Sequence, residues 1–282
     1  MNKNLILHFA IFIVSFAPLF AKSIDLSADI IVWWRCLLAF IFLSIFLLIT
    51  KKYRMPIKYL KWIIISGIFL GFHWWTFFLS IQYSSVAIGV LTLFTFPLIT
   101  AVLEPFYTKT KFSFRQVIGA FGVIVGIYFL IPEFSLQNTT TQGVFLGLSS
   151  AFVYTLRNII TKKHLTKISA MVALNYQLFF SVLILSIPIF FSTTKFILPT
   201  AKDFVFLILL SSLFTIVAHG LLVYCFKFFS AATIGIVASL QVFYSTVFAF
   251  FILSEVPNFS FYIGSAIIMM IAIYELFPHK KF

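Results

Sequence analysis

Ten apolar stretches of 19 to 24 residues follow one another along this chain and constrain its fold more than any other feature. They cover residues 4–22, 30–50, 60–82, 86–107, 114–132, 142–161, 169–192, 203–226, 231–253 and 259–277. A helix needs about 20 apolar residues to cross about 30 Å of hydrocarbon. The stretches are continuously apolar rather than alternating, which favours helices over a β-barrel. We number them spans 1–10; they predict an all-α membrane protein with ten transmembrane helices.

Composition excludes the other broad classes. Of the 282 residues, 62% are hydrophobic and 10% are charged, whereas a soluble domain carries roughly 25% charged residues. Such a chain cannot cover its surface with polar groups, and it has too much apolar surface to remain disordered. The connections between spans are short, so any function must lie inside the bundle. Span 1 could also be a signal peptide, but its long apolar core favours a span.

The net charge of +13 indicates membrane topology rather than nucleic-acid binding. The basic residues lie in the gaps between spans and do not form a patch with stacking aromatics. With the N-terminus inside, sixteen Lys and Arg residues fall on the cytoplasmic side and three on the other. This bias predicts that both termini are cytoplasmic.

The two halves of the chain resemble each other. His73 aligns with His219 at an offset of 146, and Arg35 aligns with Gln177 at an offset of 142. We therefore predict two five-helix repeats, at residues 1–135 and 140–282. An odd number of spans per repeat means that the second repeat is inverted. This is a common architecture of secondary transporters, with the binding site near the midplane between the repeats.

Polar side chains within apolar spans are candidates for such a site, because they are costly in lipid. His73 and His219 would bind substrate or a proton near neutral pH, or each would be a neutral imidazole bonded to a neighbouring helix. Trp74 would form an aromatic cavity wall or pack in the bundle. Small residues at four-residue spacing predict close helix packing: Gly67/Gly71, Gly122/Gly126, Gly143/Gly147 and Ala231/Gly235.

Two charged residues have equally open interpretations. Arg35 lies about 7 Å inside the outer end of span 2, where it would attract an anionic substrate group or extend to the lipid headgroups. Glu104, near the inner end of span 4, would be a coupling-ion or cation site, or an interfacial carboxylate paired with a lysine. Pro97 and Pro105 interrupt this span, and backbone groups freed near prolines often line cavities.

The remaining candidates are neutral. Gln241, Tyr244 and Ser245 share a helical face in span 9 and could offer hydrogen bonds to a ligand. Thr76 lies in span 3 close to His73. Arg157 and Asn158, near the inner end of span 6, are predicted to be solvated.

Absent motifs exclude several classes of protein. The chain has no nucleotide-binding loop, no metal-ligand spacing and no catalytic nucleophile motif. We therefore predict no enzymatic activity, cofactor or metal site, and no ATP-driven transport within this chain.

Several segments resemble the EamA-type branch of the drug/metabolite transporter superfamily. These segments are HWWTFFLSIQYSSVAIGVLTLFTFPLITAVLEP (73–105), AHGLLVYCFKFFSAATIGIVASL (218–240) and ILSEVPNFSFYIGSAI (252–267). The resemblance covers essentially the whole chain. It implies a ten-helix bundle around a central cavity and alternating-access transport of amino acids and other small metabolites, often outward. The family's Leu-Glu-Pro element matches at Glu104, whereas its second-half counterpart has Gln241 in place of the acid.

The sequence thus predicts a secondary exporter of small metabolites in the plasma membrane, the inner membrane of a bacterium. The first five spans would move against the last five. His73, Trp74, Thr76, Gln241 and Tyr244 would contact the solute, and Arg35, Glu104 and His219 would carry charge or protons. The expected partners are a small-molecule solute and the lipid bilayer, with no nucleic acid. A monomer is compatible with the sequence, and the alternative function is a non-transporting scaffold or lipid-handling protein.

Overall fold

Helices account for the regular secondary structure in the part of the chain that the computed structural model describes. That part comprises residues 3–108, 114–131, 135–165, 167–191, 197–225, 228–229 and 237–276. Six apolar segments are long enough to cross a membrane, and four shorter apolar helices complete the predicted ten. The all-α, ten-span fold class is therefore confirmed.

The helices match the predicted spans in order. Their bounds, from span 1 to span 10, are Lys3–Val14 with Phe20–Ser23, Ala28–Ile49, Leu60–Tyr83, Val86–Leu93 with Phe96–Thr108, Phe114–Leu130, Thr139–Ile160, Ala170–Phe191, Ala201–Ser211 with Ala218–Cys225, Leu240–Leu253, and Phe259–Leu276. Spans 6 and 8 also contain π-helical turns, at Thr161–Leu165 and Ser212–Val217.

Proline interrupts two of the spans. Span 1 changes to a 3₁₀ turn at Ala17–Leu19, which contains Pro18. Span 4 ends its first helix at Leu93 and resumes at Phe96, one residue before Pro97. A proline has no backbone N–H to continue the helical ladder. The predicted interruption of span 4 is confirmed at Pro97, whereas the one predicted at Pro105 is wrong, because the helix Phe96–Thr108 continues through that residue.

One end of the bundle, which we call the Lys22 end, joins the connections predicted to lie outside. Nζ of Lys22 lies 3.0 Å from Oε1 of Glu255 and donates to the carbonyl oxygen of Ser84 at 2.8 Å. The backbone N–H of Asp25 donates to Oδ1 of Asp203 at 3.2 Å. These contacts link the ends of spans 1, 3 and 9 to the start of span 8.

The opposite end joins connections predicted to lie inside. The Tyr176 hydroxyl donates to the carbonyl oxygen of Tyr53 at 3.3 Å, and the ring of His164 stacks 3.6 Å from that of Trp62. The described connections therefore alternate between the two ends, and the spans that they join run in opposite directions. With five spans in each, the two repeats are inverted relative to one another.

The repeats interlock instead of forming two separate halves. The most extensive packing joins span 3 to spans 6 and 7, span 5 to span 10, and span 2 to span 7. Each of these interfaces crosses the boundary between the repeats. The closest-packed helices thus belong to different repeats, and the expectation that spans 1–5 move as one body against spans 6–10 stays a prediction.

Glycines make these crossings possible. A Cβ atom on Gly67 would lie 2.8 Å from the carbonyl oxygen of Gln177, and one on Gly264 would lie 2.6 Å from that of Gly126. In lipid, small residues let helix backbones approach because apolar side chains gain little from meeting one another. The predicted close packing is confirmed in spans 3, 5 and 6; Ala231 and most of the segment around it lie outside the described residues.

Large apolar side chains face outward around the bundle. Ile49, Tyr128 and Phe251 are each at least three-quarters exposed. Apolar surface on this scale would not be stable in water, and it suits contact with lipid chains.

Candidate functional site

Arg35 is buried inside the bundle. The residue is 3% exposed, and its Nε donates a 2.9 Å hydrogen bond to Oγ1 of Thr215 in span 8. The guanidinium carbon lies 4.0 Å from the ring centroid of Trp74 and 5.5 Å from that of Phe78, both in span 3. The alternative in which Arg35 extends to the headgroups is wrong, because these inward partners hold its charged end.

Trp74 and His219 meet across the repeat boundary. Their ring centroids are 6.1 Å apart; Trp74 is buried and His219 is half-buried. Arg35 and Trp74 come from the first repeat, and Thr215 and His219 come from the second. We call these four residues the Arg35 cluster.

A widened helical turn positions Thr215. Span 8 is π-helical over Ser212–Val217, and Oγ1 of Thr215 donates to the carbonyl oxygen of Leu210, five residues earlier, at 2.7 Å. The same oxygen accepts the hydrogen bond from Arg35. Because π turns are rare and frequent at functional sites, this turn marks the cluster independently of its charge.

His73 is held by span 6. Its Nδ1 lies 2.7 Å from Oγ of Ser150, and that hydroxyl donates to the carbonyl oxygen of His73 at 2.9 Å. Because the single hydroxyl proton of Ser150 is donated to this carbonyl oxygen, Nδ1 of His73 must be the donor in its own bond to Ser150. The ring of Tyr154 lies 4.5 Å away. His73 thus has the surroundings of an imidazole bonded to a neighbouring helix, whereas its repeat counterpart His219 makes no side-chain hydrogen bond to the described residues.

Arg157 places a second guanidinium inside the bundle. Nη2 donates to Oε1 of Gln177 at 2.7 Å and Nη1 to Oδ1 of Asn158 at 3.2 Å. Its Nε is buried and has no hydrogen-bond partner within the described chain. Gln177 in turn donates to Oγ of Ser66 at 2.9 Å. The predicted solvated position is wrong, because span 6 continues beyond Arg157 through the π turn Thr161–Leu165.

Positive charge at the centre has no acidic partner in the described residues. Arg35 and Arg157 both act electrostatically on the imidazoles of His73 and His219. The acidic side chains that the structure describes all lie at the Lys22 end, and they are Asp25, Asp29, Asp203 and Glu255. Charge retained at this depth in a membrane is costly and marks a functional site by default.

The predicted residues of span 9 face span 1 instead of the Arg35 cluster. The ring of Tyr244 lies 5.6 Å from that of Phe12, and Oγ of Ser245 donates to the carbonyl oxygen of Ser15 at 2.8 Å. Gln241 is half-buried and makes no hydrogen bond to the described residues. The structure therefore does not bring Tyr244 to Trp74, and the ligand contacts expected of span 9 stay predictions.

Two further candidates are also outside the cluster. Oγ1 of Thr76 donates to the carbonyl oxygen of Phe72 at 2.8 Å, so this hydroxyl is satisfied within its own helix. The backbone of Glu104 belongs to Phe96–Thr108, but its side chain lies outside the described residues. Their predicted roles stay predictions.

A cavity of about 810 Å³ opens at the Lys22 end, with Asp29 and Gln82 in its lining. Gln82, Phe78 and Trp74 follow one another at four-residue steps on span 3 and so share a helical face. The cavity lies about 12 Å from Trp74 along this face. Phe78, which is fully buried, lies between the cavity and the Arg35 cluster.

Sequence reasoning missed Thr215 and misplaced Arg157. Thr215 precedes His219 by four residues, so the two share a helical face; that spacing was the available signal. Arg157 binds the amide of Gln177 in span 7, and no spacing in the sequence relates these two residues.

Comparison with known proteins places these features in context. The model of the EamA-like transporter family matches residues 2–131 and again 141–275. S-adenosylmethionine uptake transporters of Rickettsia felis and Rickettsia bellii are 23% and 24% identical, each over 76% of this chain and over 70% and 71% of their own lengths. The uncharacterised transporter YyaM of Bacillus subtilis is 30% identical over 39% of this chain, and the match spans 37% of that relative.

A solved crystal structure shares the fold. It superposes with a TM-score of 0.66 and 15% sequence identity, covering 96% of this chain and 94% of the other. Likeness at this identity describes the architecture alone.

Proposed function

The chain belongs to the EamA-like transporter family, and from that premise we propose that it is a secondary transporter that moves small metabolites by alternating access. It is an integral membrane protein. The absence of a nucleotide-binding loop in the sequence supports transport without ATP.

The observation that carries this proposal is the meeting of both repeats at the Arg35 cluster. Trp74 lies near the middle of Leu60–Tyr83 and contacts His219, and Arg35 binds Thr215, so both residues of the first repeat meet the inverted repeat. Transporters built from inverted repeats hold their solute near the midplane at the repeat interface. The cluster supplies one charge, one hydroxyl, one aromatic face and one imidazole at that position.

Two observations bear on the chemical class of the solute. The family resemblance of the sequence favours export of amino acids and related metabolites, whereas two relatives are named for uptake of S-adenosylmethionine. We propose a solute from this common chemical class, amino acids and their derivatives. Both termini would be cytoplasmic, as the Lys and Arg distribution predicts, in a bacterial inner membrane. The repeat boundaries 1–135 and 140–282 belong to the same proposal.

Counterflow tests transport directly. Proteoliposomes preloaded with an unlabelled solute should accumulate its labelled form, in a panel of S-adenosylmethionine and the twenty amino acids. Trp74→Ala should lower the rate by about tenfold, because it removes the aromatic wall of the site. Trp62→Ala is the matched control, since Trp62 stacks on His164 at the opposite end, and it should retain the wild-type rate. Equal rates for the two variants would contradict the placement of the site.

Cysteine labelling separates a carrier from the scaffold alternative. The native Cys36 and Cys225 are buried and would be replaced by alanine. His219→Cys should react with a water-soluble thiol reagent about tenfold faster than His73→Cys, because only His219 is partly exposed and exposure governs thiol access. A transported solute should slow labelling at position 219. Protection of both positions under every condition would support the scaffold.

A further inference from the structure

We propose that the solute carries a carboxylate and that this carboxylate binds the terminal nitrogens of Arg35. The inference rests on the proposed transport function and names the chemical group that the site selects.

The first observation is that most donors of Arg35 are unused. A guanidinium has five N–H donors, and here Nε donates to Thr215. Nη1 and Nη2 make no hydrogen bond to the described part of the chain, although the residue is 97% buried. Neither nitrogen is among the completely enclosed, unpartnered polar atoms of the described residues, so this guanidinium edge can reach an acceptor that arrives from outside the protein.

Charge is the second observation. The four described carboxylates all lie at the Lys22 end, so none of them neutralises Arg35. A single guanidinium edge matches a planar carboxylate of one negative charge through two parallel hydrogen bonds. A phosphate dianion would keep a second charge that the described residues beside Arg35 do not neutralise.

Arg157 shows a guanidinium whose terminal edge is bonded within the same bundle, although its Nε has no partner in the described chain. Both of its terminal nitrogens donate to amide oxygens, those of Asn158 and Gln177. Arg35 has the opposite arrangement, with Nε bonded and the terminal edge free of the described residues. The difference assigns the ligand-binding role to Arg35 and makes Arg157 the natural control.

Neighbouring residues orient the terminal nitrogens of Arg35. Thr215 fixes the rotation of the guanidinium through Nε, and its own proton is used by Leu210, so it acts as a positioning residue. Trp74 covers one face at 4.0 Å, and Phe78 separates the cluster from the cavity at the Lys22 end. These two rings must shift for a solute to enter, which suits a site that is closed in this conformation.

The test uses competition in the counterflow assay with the full chain. Each transported acid of the panel is compared with its carboxamide, which has nearly the same shape and no charge. For wild-type protein we expect the acid to compete about tenfold better than its carboxamide. Thr215→Val should weaken this preference for acids, because the guanidinium loses its orientation.

Substitutions of the two buried arginines show which of them causes the preference for acids over carboxamides. Arg35→Gln should reduce the preference to about twofold or less, and Arg35→Lys, which keeps the charge without the paired donors, should give an intermediate value. Arg157→Gln should keep the wild-type preference. If Arg35→Gln does not fold, the acid-to-carboxamide preferences of the wild-type protein and of Arg35→Lys still test whether Arg35 binds the carboxylate.

Three results would overturn the inference while leaving transport intact: wild-type exchange of carboxamides as fast as acids, exchange of amines or nucleosides without any anionic group, or an unchanged preference in Arg35→Gln. An equal loss of preference in Arg157→Gln would also overturn it, because the selectivity would then come from the overall positive field. A folded wild-type protein that exchanges no solute would instead refute the proposed function.

Discussion

Gly67→Ala is expected to destabilise the folded protein by about 1–3 kcal/mol, and Gly67→Leu by more. The added Cβ would lie 2.8 Å from the carbonyl oxygen of Gln177 and 2.9 Å from Cβ of Phe180. Both atoms belong to or adjoin the backbone of span 7, so relief requires the two helices to separate. In lipid, close backbone approach is a main source of helix association, and span 3 is the most extensively packed helix of the bundle.

The control is Gly220→Ala. Its new Cβ would lie 2.6 Å from the terminal methyl carbon of Met171, and a methionine side chain can move aside. We expect this variant to unfold at nearly the wild-type temperature in detergent, whereas Gly67→Ala unfolds earlier and yields less monodisperse protein. Matching melting temperatures for the two variants would mean that the contact between spans 3 and 7 is looser than the structure shows.

The ten spans were predictable because the solvent dictates them. Every backbone N–H and C=O within hydrocarbon must bond inside its own segment, so a continuous apolar run of the right length becomes a helix. The prolines also indicated the break at Pro97, where a backbone N–H is missing, although Pro105 and Pro188 lie inside helices. These features depend on local sequence alone.

The packing of the spans was not predictable in the same way. Apolar faces in lipid do not select their partners by hydrophobicity, and the repeat pattern relates spans 1–5 to spans 6–10 without saying which of them touch. The contact of Gly67 with Gln177 depends on how two helices cross. The spacing of small residues identified which face of each helix makes a close contact, but it did not identify the helix on the other side.

The site was predicted in part for a related reason. Burial of polar side chains in lipid is costly, so Arg35 and His219 could be singled out from sequence. Their surroundings depend on the π turn that brings Thr215 to Arg35, which no pattern announced. Tyr244 faces span 1, where the 3₁₀ turn around Pro18 interrupts the helix, and hydropathy does not give the rotation of a helix about its axis.

Polar contacts tie the two repeats together at the Lys22 end, which the Lys and Arg distribution predicts to be the outer end. Oε1 of Gln82 accepts from the N–H of Ala28, and its Nε2 donates to the carbonyl oxygens of Ala21 and Leu26. The connection between spans 1 and 2 is thereby tied to span 3. The ion pair of Lys22 with Glu255 and the bond from Asp25 to Asp203 then tie it to the second repeat. In an alternating-access cycle these contacts must break when the site opens toward this end.

Joining Asp25 to Asp203 by a disulfide should therefore stop transport. The 3.2 Å bond from the Asp25 backbone N–H to the Asp203 carboxylate places the two residues in contact, which makes them the pair to test for a bridge. With Cys36 and Cys225 replaced by alanine, oxidised Asp25→Cys/Asp203→Cys protein should exchange solute at least about tenfold more slowly than the same protein after reduction. The measurement is counterflow before and after dithiothreitol, with cross-link formation followed by mass spectrometry.

The single variants separate cross-linking from local damage. Asp203→Cys removes the capping box that Asp203 forms with Thr200, which costs on the order of 1 kcal/mol, so its rate sets the reference for the pair. Oxidation should leave both single variants unchanged, because neither can form the bridge. Undiminished exchange in fully cross-linked protein would mean that the Lys22 end stays closed throughout the cycle. Alternating access through this end would then be excluded, and the solute would have to reach the Arg35 cluster by another route.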